Sequence, residues 1–208
     1  MKALVLIDVQ NDFIDGALGS EWAQATVPKI AEFVKAHPEY EVFATRDTHY
    51  NETSNDLCIK YEDSLEGKRL PVKHCIKGTK GWELNDLVKP LVKDNEMHIT
   101  DKPTFMACTA IGPEALWLGI MINSALTENF TLDVGMEYPL DEIVVCGFVT
   151  SICVLANALY LRGLYPNTKI TVLKDLCADV TTENHEMALK IMEIHHIDVK
   201  ESQEITIL

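Results

Sequence analysis

Basic residues are scarce in this chain, and they form no run. Its 208 residues include 18 Lys and Arg against 32 Asp and Glu, a formal net charge of −14 at pH 7. A protein that binds nucleic acid or an anionic membrane surface needs a concentration of positive charge. Neither class of partner is therefore expected, and we interpret the acidic charge as a contribution to solubility.

Long apolar runs are also missing. The first apolar run, residues 3–7, ends at Asp8. A secretory signal needs an apolar region of roughly 7–15 residues, and a membrane-spanning helix needs about 18. We therefore expect a cytoplasmic protein without a membrane segment.

Paired cysteine motifs are the third absence. The six cysteines, at positions 58, 75, 108, 146, 153 and 177, contain no Cys-x-x-Cys pair and show no framework spacing. A zinc ribbon and a thioredoxin-type redox site are thus excluded. In the reducing compartment expected here, most of these cysteines should be buried free thiols.

The chain does have a regular alternation of strand-like and helical patterns. Its length and its content of 47% hydrophobic and 24% charged residues predict a single globular domain over residues 1–208. Apolar runs with β-branched residues predict buried parallel strands at 3–7, 41–45, 96–100, 142–146 and 169–173, with a weaker sixth at 196–200. Helices are predicted at 27–36 after a capping Thr26, at 114–126, at 152–164, and at 183–195 after Thr181 or Thr182. This alternation predicts an α/β fold, with three α/β/α layers around a mostly parallel six-stranded sheet.

Chemically active side chains stand where four of the predicted strands end. Asp8 follows the first strand, Asp47 and His49 follow the second, Lys102 the third and Cys153 the fourth. Open parallel sheets bind ligands beyond the carboxyl ends of their strands. These five side chains are therefore expected to share one crevice.

Cys153 is the candidate nucleophile. It lies at a predicted strand-to-helix turn, where backbone N–H groups and a helix N-terminus favour the thiolate. Asp8 is the candidate base, which would take the thiol proton and return it to a leaving amine. Lys102 would favour the thiolate and stabilise developing negative charge. These three residues outline a cysteine hydrolase, and the other cysteines are interpreted as structural.

A second group of side chains suits a metal ion. Asp47 and His49 project to the same side of an extended segment, and His74 lies in a polar segment, 50–83, that we interpret as a long functional loop. Two imidazoles and a carboxylate suit zinc, iron or manganese. The remaining histidines lack ligand spacing and are interpreted as helix-end or surface groups: His37, His98, His185, His195 and His196.

Several motifs resemble those of the isochorismatase-like cysteine hydrolases. They are LIDVQNDF at 6–13, GFVTSICV at 147–154, DLCA at 175–178 and ENH at 183–185. Two further patterns, DTH at 47–49 and HCIKGTKG at 74–81, are similar to those of the metal-dependent nicotinamidases within that family. The resemblance extends over nearly the whole chain.

The resemblance implies a role for each matching residue. The triad would be Asp8, Lys102 and Cys153, and the metal ligands would be Asp47, His49 and His74, with Glu66 as a candidate fourth ligand. The oxyanion hole would be formed by the backbone N–H groups of Val149 and Cys153, next to a non-proline cis peptide at 148–149.

Three departures from the family pattern bear on the substrate. Ser151 stands where the family has an Asp two residues before the cysteine, and Leu70 stands where an aromatic residue commonly covers the nicotinamide ring. Phe13 could still supply the other face of that pocket. The connection from Lys102 to Cys153 is long, with extra residues around 127–138.

The activity that the resemblance implies is hydrolysis of nicotinamide to nicotinic acid and ammonia through a thioester, as part of NAD salvage. It also implies one divalent ion, zinc in the first place with iron and manganese open, and we expect a homo-oligomer. Another small amide or an N-carbamoyl compound is the alternative substrate. An isochorismatase-type ether hydrolase, whose chemistry needs no thiol, and a degenerate metal- or partner-binding domain stay open.

Overall fold

The computed structural model describes residues 1–55, 58–95, 98–107 and 140–205. Its strands are β1 Lys2–Ile7, β2 Tyr40–Asp47, β3 Ile99–Lys102, β4 Glu142–Phe148, β5 Lys169–Ala178 and β6 Asp198–Lys200. They form one sheet in the order β3-β2-β1-β4-β5-β6, and each pair of neighbours is parallel.

Helices and short helical turns connect the strands. The α-helices are α1 Asn11–Ile14, α2 Glu21–Ala36, α3 Leu65–Arg69, α4 Leu155–Leu164 and α5 Thr182–Ile194. Single turns of 3₁₀-helix lie at Tyr61–Asp63, Lys89–Leu91 and Ser202–Glu204, and a π-helical turn lies at Thr150–Val154. The chain leaves β1 toward β2 on one side and runs from β4 to β6 on the other. Right-handed crossovers in these opposite directions place helices on both faces of the sheet, which confirms the predicted three-layer α/β/α fold.

The sheet centre is apolar on both faces, as a parallel sheet between helix layers requires. The five β1 residues at 3–7 are completely buried, and β4 is buried along its whole length. None of the helices in the described ranges combines the length and apolarity that would let it cross a bilayer.

The strands continue further into the polar residues than their apolar patterns predict. β2 includes Asp47, and β3 is shifted toward its carboxyl end so that Lys102 is its last residue. The two side chains are partners in the register of these strands. Backbone pairing between neighbours therefore extends the strands to the residues that were expected just beyond them.

The predicted start of the second helix is wrong. Its N-cap is Ser20, whose hydroxyl accepts the N–H of Ala23 at 3.1 Å. Pro28 lies inside the helix rather than in its first turn, where it is expected most often. The hydroxyl of Thr26, which was predicted to cap the helix, instead donates to the carbonyl of Trp22.

The other helix predictions fared differently. Thr181 caps α5 by accepting the N–H of Asn184, as predicted. The helix expected at 152–164 is divided into the π-helical turn and α4. The helix expected at 114–126 lies outside the described residues.

Three of the histidines that were interpreted as helix-end or surface groups are buried, namely His37, His98 and His185, and of these His37 does lie at the end of α2. The ring of His98 stacks on Phe43 with centroids 5.2 Å apart, and its Nε2 lies 2.6 Å from Glu41. His185 contacts the hydroxyl of Thr150 through Nδ1 at 2.9 Å. Both rings have polar partners, which is the condition for burying an imidazole.

Gly147 lets the carboxyl ends of β1 and β4 approach closely. Its φ is +128°, and a Cβ at this position would lie 2.0 Å from the carbonyl oxygen of Ile7. Only glycine tolerates both conditions. The strand order reverses at these two strands, and such a switch point is where an open α/β sheet binds its ligand.

Candidate active site

The structure brings together the three residues predicted as the triad. The Nζ atom of Lys102 lies 2.7 Å from Oδ2 of Asp8 and 3.5 Å from Sγ of Cys153. All three are buried, with exposed fractions of 0% for Asp8, 1% for Lys102 and 5% for Cys153. They come from the end of β1, the end of β3 and the π-helical turn after β4, so the parallel sheet places all three at the carboxyl ends of its strands.

Asp8 is held in place by a threonine that sequence reasoning missed. Its backbone has a φ of +50°, a conformation that is uncommon for a residue with a side chain. The hydroxyl of Thr45 accepts the Asp8 N–H at 3.2 Å and donates to its Oδ1 at 2.7 Å. A threonine that ends an otherwise apolar strand run was the available signal.

The turn that carries Cys153 is fixed by the last carbonyl of β5, by Asp179 directly after that strand and by a side chain of α5. Oδ2 of Asp179 accepts the N–H of Ser151 at 2.6 Å. The hydroxyl of Thr150 donates to the carbonyl of Ala178 at 3.0 Å and contacts His185. The non-proline peptide between residues 148 and 149 is cis, as the family resemblance implied. Asp179 was not predicted, because no sequence signal links it to a turn 28 residues away.

The environment of Cys153 favours the thiol over the thiolate. Burial raises the pKa of the Cys153 thiol well above its usual range, the Lys102 ammonium opposes this shift, and the carboxylates of Asp8 and Asp47 add to it. Burial and the two carboxylates therefore act against the thiolate that the turn was expected to favour. A proton acceptor is needed for this cysteine to attack.

The two carboxyl groups beside Lys102 differ in how easily they take up that proton. Burial raises the pKa of Asp8, and the neighbouring charge of Asp47 raises it further, while Lys102 lowers it. Burial also acts to raise the pKa of Asp47, but Lys102 and the two imidazoles outweigh it and leave that pKa well below its ordinary value. Environments that separate two such pKa values favour the carboxyl with the higher pKa as the proton acceptor, which is Asp8 in this pair.

Lys102 remains an ammonium despite its burial. Burial by itself lowers the pKa of a lysine, but the charges of Asp8, Cys153 and Asp47 outweigh it and raise the pKa of Lys102 above its usual value. Its Nζ also donates to the carbonyl of Thr104 at 3.2 Å. A fixed positive charge therefore stands between the candidate base and the candidate nucleophile.

The predicted metal ligands form one cluster. One donor atom from each of Asp47, His49, Glu66 and His74 can be chosen so that all four lie within 4.8 Å of one another. Nε2 of His49 lies 3.0 Å from Oδ2 of Asp47, yet it is buried without a hydrogen-bond partner among the described residues. Buried nitrogen and oxygen donors that face one another in this way suit a divalent cation.

The orientation and charge of His74 support the same reading. Its Nδ1 donates to the carbonyl of Val72 at 2.9 Å, which in the neutral ring leaves the Nε2 lone pair directed to the cluster, as in most metal-bound histidines. Burial lowers the pKa of His74, but Asp47 and Glu66 outweigh it and raise the pKa to about 10. The carboxylates thus favour positive charge at this point, and a divalent ion would supply it in place of the proton.

Gln10 holds the backbone of Asp47 on both sides. Its Nε2 donates to the Asp47 carbonyl at 2.9 Å, and its Oε1 accepts the Asp47 N–H at 2.7 Å. The sequence motif contains this glutamine, but the pattern alone gave it no role. Its position directly after Asp8 and Val9 connects the triad to the candidate metal site.

A cavity of about 490 Å³ opens beside this cluster. Its described lining includes His49 and Glu66 together with polar and apolar side chains of four segments: Thr48, Tyr50, Ile59, Ser64, Leu65, Arg69, Leu70, Pro103, Thr104, Phe105 and Ile152. Leu70 therefore lies on the cavity wall. Phe13 is buried instead against His74, with ring centroids 5.7 Å apart, and its contact with a substrate stays a prediction.

The chain is similar to known proteins over nearly its whole length. The model of the isochorismatase domain family matches residues 2–118 and 123–203. The nicotinamidase of Schizosaccharomyces pombe is 26% identical over 219 aligned positions, which cover 95% of this chain and 91% of that protein.

Solved structures show the same fold. The pyrazinamidase of Pyrococcus horikoshii in complex with zinc superposes with a TM-score of 0.68 at 23% identity, covering 96% of this chain and 98% of the other. The N-carbamoylsarcosine amidase of Thermoplasma acidophilum gives a TM-score of 0.69 at 23% identity, with 98% of both chains covered.

Proposed function

The chain belongs to the isochorismatase domain family, and we propose that it is a cysteine amidohydrolase that converts nicotinamide to nicotinic acid and ammonia. The observation that carries the proposal is the contact of one buried ammonium, Lys102, with both Asp8 and Cys153. A structural ion pair would not need a thiol as its third member. The similarity to a nicotinamidase over nearly the whole chain supports the choice of substrate.

Asp8 takes the proton of the Cys153 thiol, and Sγ forms a bond to the amide carbon of the substrate. The carbonyl oxygen becomes an oxyanion, which the backbone N–H groups of Val149 and Cys153 stabilise. The protonated Asp8 then gives its proton to the leaving nitrogen, the C–N bond breaks, and ammonia departs. Asp8 next takes a proton from water, which attacks the thioester and releases the acid and the thiol.

Asp47, His49, His74 and Glu66 would hold one divalent ion, for which zinc is proposed on the basis of the mixed nitrogen and oxygen donors. When bound, this ion would supply a Lewis-acid contact for the ring nitrogen of the substrate. Glu66 and His49 also line the cavity. The substrate would lie between this cluster and the turn of Cys153, whose neighbour Ile152 lines the cavity.

Arg69 favours a second substrate class, an N-carbamoyl compound that carries a carboxylate. It lies on the cavity wall and has no ion pair with any residue of the described ranges. A guanidinium is well suited to bind a carboxylate. An ether hydrolase is disfavoured, because its chemistry gives Cys153 no task.

The test is ammonia release from nicotinamide, pyrazinamide and N-carbamoylglycine by the protein, with and without a chelator. Release from nicotinamide that depends on Cys153 is the expected result. Release from N-carbamoylglycine alone, together with its loss in Arg69→Gln, would replace the first candidate by the second. We also propose that the chain forms one domain and acts in the cytoplasm. It would act as a homo-oligomer, and sedimentation analysis would test this oligomeric state.

A further inference from the structure

Asn157 is a buried amide on α4 whose polar atoms are all directed at backbone groups. It follows Cys153 at a separation of four residues, and its exposed fraction is 0%. Its Nδ2 donates to the carbonyl of Cys153 at 2.8 Å and to the carbonyl of Phe105 at 2.9 Å. Its Oδ1 accepts the N–H of Ala107 at 2.7 Å.

These contacts join the nucleophile to a segment far away in sequence. Residues 103–107 directly follow Lys102, and two of them, Phe105 and Ala107, are bonded to Asn157. The same segment contains Thr104, whose carbonyl accepts a hydrogen bond from the Lys102 ammonium. The Asn157 side chain thus links the carbonyl of Cys153 to the segment whose Thr104 carbonyl accepts the hydrogen bond of Lys102.

The buried, apolar surroundings of Asn157 indicate that the side chain is polar because of these hydrogen bonds. Its neighbours on α4 include Ala158 and Leu161, both completely buried, so a hydrophobic side chain would be the ordinary choice here. A buried amide is tolerated only when its donors and acceptor are satisfied. The three partners meet that condition, and two of them belong to residues 103–107.

The linkage bears on geometry that catalysis depends on. The Lys102 ammonium lies 3.5 Å from Cys153, and Pro103, Thr104 and Phe105 line the cavity. A misplacement of about 1 Å can lower a reaction rate roughly 10²-fold. A residue that fixes residues 103–107 therefore also fixes the approach of the ammonium and one wall of the cavity.

We propose that Asn157 is a positioning residue, which holds residues 103–107 against the turn that carries Cys153 and so sets the placement of Lys102 beside the thiol. The proposal rests on the proposed function of Cys153 as the nucleophile. Asn157 does not contact the Cys153 thiol or the Lys102 ammonium, and it acts through the backbone groups that it binds.

The experiment compares Asn157→Ala and Asn157→Thr with Tyr40→Phe. A threonine hydroxyl can still bond the carbonyl four residues earlier in a helix, so Asn157→Thr removes mainly the bonds to Phe105 and Ala107. Tyr40→Phe loses one buried hydrogen bond, to Glu142. Both residues lie at the amino-terminal ends of their strands, away from Cys153, so this variant controls for general destabilisation. Urea unfolding gives the folded fraction of each variant.

Two measurements are made on the folded protein. Amide hydrogen exchange should become at least tenfold faster over residues 103–107 in both Asn157 variants, with β1 and β4 unchanged. The kcat for the amide that the wild type hydrolyses should fall at least tenfold, with a smaller change in KM. A role in stability alone would lower activity only in proportion to the folded fraction.

The proposal is overturned if exchange over residues 103–107 is unchanged, or if kcat per folded molecule stays within twofold of Tyr40→Phe. If the wild type hydrolyses none of the amides, the proposed function fails separately. The exchange result then still decides whether Asn157 holds the segment.

Discussion

The Lys102 ammonium lies 3.5 Å from the Cys153 thiol, and both groups are buried. At this distance the positive charge stabilises the thiolate, but burial and two carboxylates act in the opposite direction. The candidate nucleophile and the candidate base, Asp8, therefore lie in one buried cluster around Lys102. In the proposed mechanism, activation is the transfer of one proton inside that cluster.

Replacement of the nucleophile should abolish turnover and leave the fold intact. Cys153→Ala is expected to lower kcat by at least about 10³-fold, because the covalent route is lost. The matched control is Cys146→Ala, which removes another completely buried thiol, from β4. Ammonia release and circular dichroism are measured for both. Activity of folded Cys153→Ala within tenfold of the wild type would exclude the thioester route.

Loss of the ammonium should affect both stability and rate. Lys102→Met leaves Asp8 buried without its cation, and breaking a buried ion pair in this way costs about 3–5 kcal/mol. The double variant Asp8→Asn/Lys102→Met removes the charge of Asp8 together with its cation, while Asp47, 3.6 Å from Lys102, keeps its contacts with the two imidazoles. The loss of stability of this double variant should therefore be smaller than the sum of the losses of Lys102→Met and Asp8→Asn. Urea unfolding of the three variants checks this, and additive losses would contradict it. All three should be at least about 10²-fold slower than the wild type.

Protein purified without chelator should contain one divalent ion per chain. Removal of the ion should lower the thermal midpoint, because a ligand that binds only the folded state stabilises it. His49→Ala should lose the ion, whereas Glu66→Gln should retain more of it, since its side chain is 22% exposed against 7% for His49. Glu62→Gln is the control, because this exposed carboxylate in the same segment pairs with Lys73. Elemental analysis that finds no metal in the wild type would contradict the assignment.

Glu142, at the amino-terminal end of β4, should make the stability of the fold depend on pH. Burial acts to raise the pKa of Glu142, but Lys169 and the Tyr40 hydroxyl outweigh it and leave that pKa below its ordinary value. A lowered folded pKa contributes stability above the unfolded pKa, and this contribution is lost as the pH falls through the folded value. Glu142→Gln should therefore cost about 1.5–3 kcal/mol at pH 7, and the difference from the wild type should shrink toward about pH 3.

Urea unfolding at a series of pH values measures that difference. Glu193→Gln, an exposed position on α5, is the control and should differ little from the wild type at any pH. A Glu142→Gln loss that stays constant with pH would show that packing, and not ionisation, is responsible.

The residues at strand ends could be predicted because topology is a rule about sequence order. Once the alternation indicates an open parallel sheet, Asp8, Lys102 and Cys153 must meet at one edge. Glu66 and His74 follow no such rule, since the segment that carries them has no period. Residue type alone indicated His74, and only the family resemblance indicated Glu66.

The supporting residues could not be predicted for a different reason. Thr45 and Asn157 reach partners 37 and 50 residues away, through a strand register and a crossover packing that no local pattern encodes. The burial that raises the pKa of Cys153 could not be predicted from the sequence either. A pattern of residues identifies the turn, but it does not reveal how completely the turn is covered.

Leu70 should make the cavity less selective for flat aromatic amides than an aromatic residue would. It lies on the cavity wall with an exposed fraction of 37%, so a larger ring has room to reach a substrate. Stacking on a ring contributes roughly 0.5–1.5 kcal/mol beyond area burial, and about 1.4 kcal/mol corresponds to a tenfold change in affinity. Leu70→Trp should therefore raise the preference for nicotinamide and pyrazinamide over an aliphatic amide by up to about tenfold. The measurement is kcat/KM for the three amides, with Leu87→Trp as the control, because Leu87 is exposed and lies outside the described cavity lining. If both tryptophan variants keep the selectivity of the wild type, Leu70 does not contact the bound substrate.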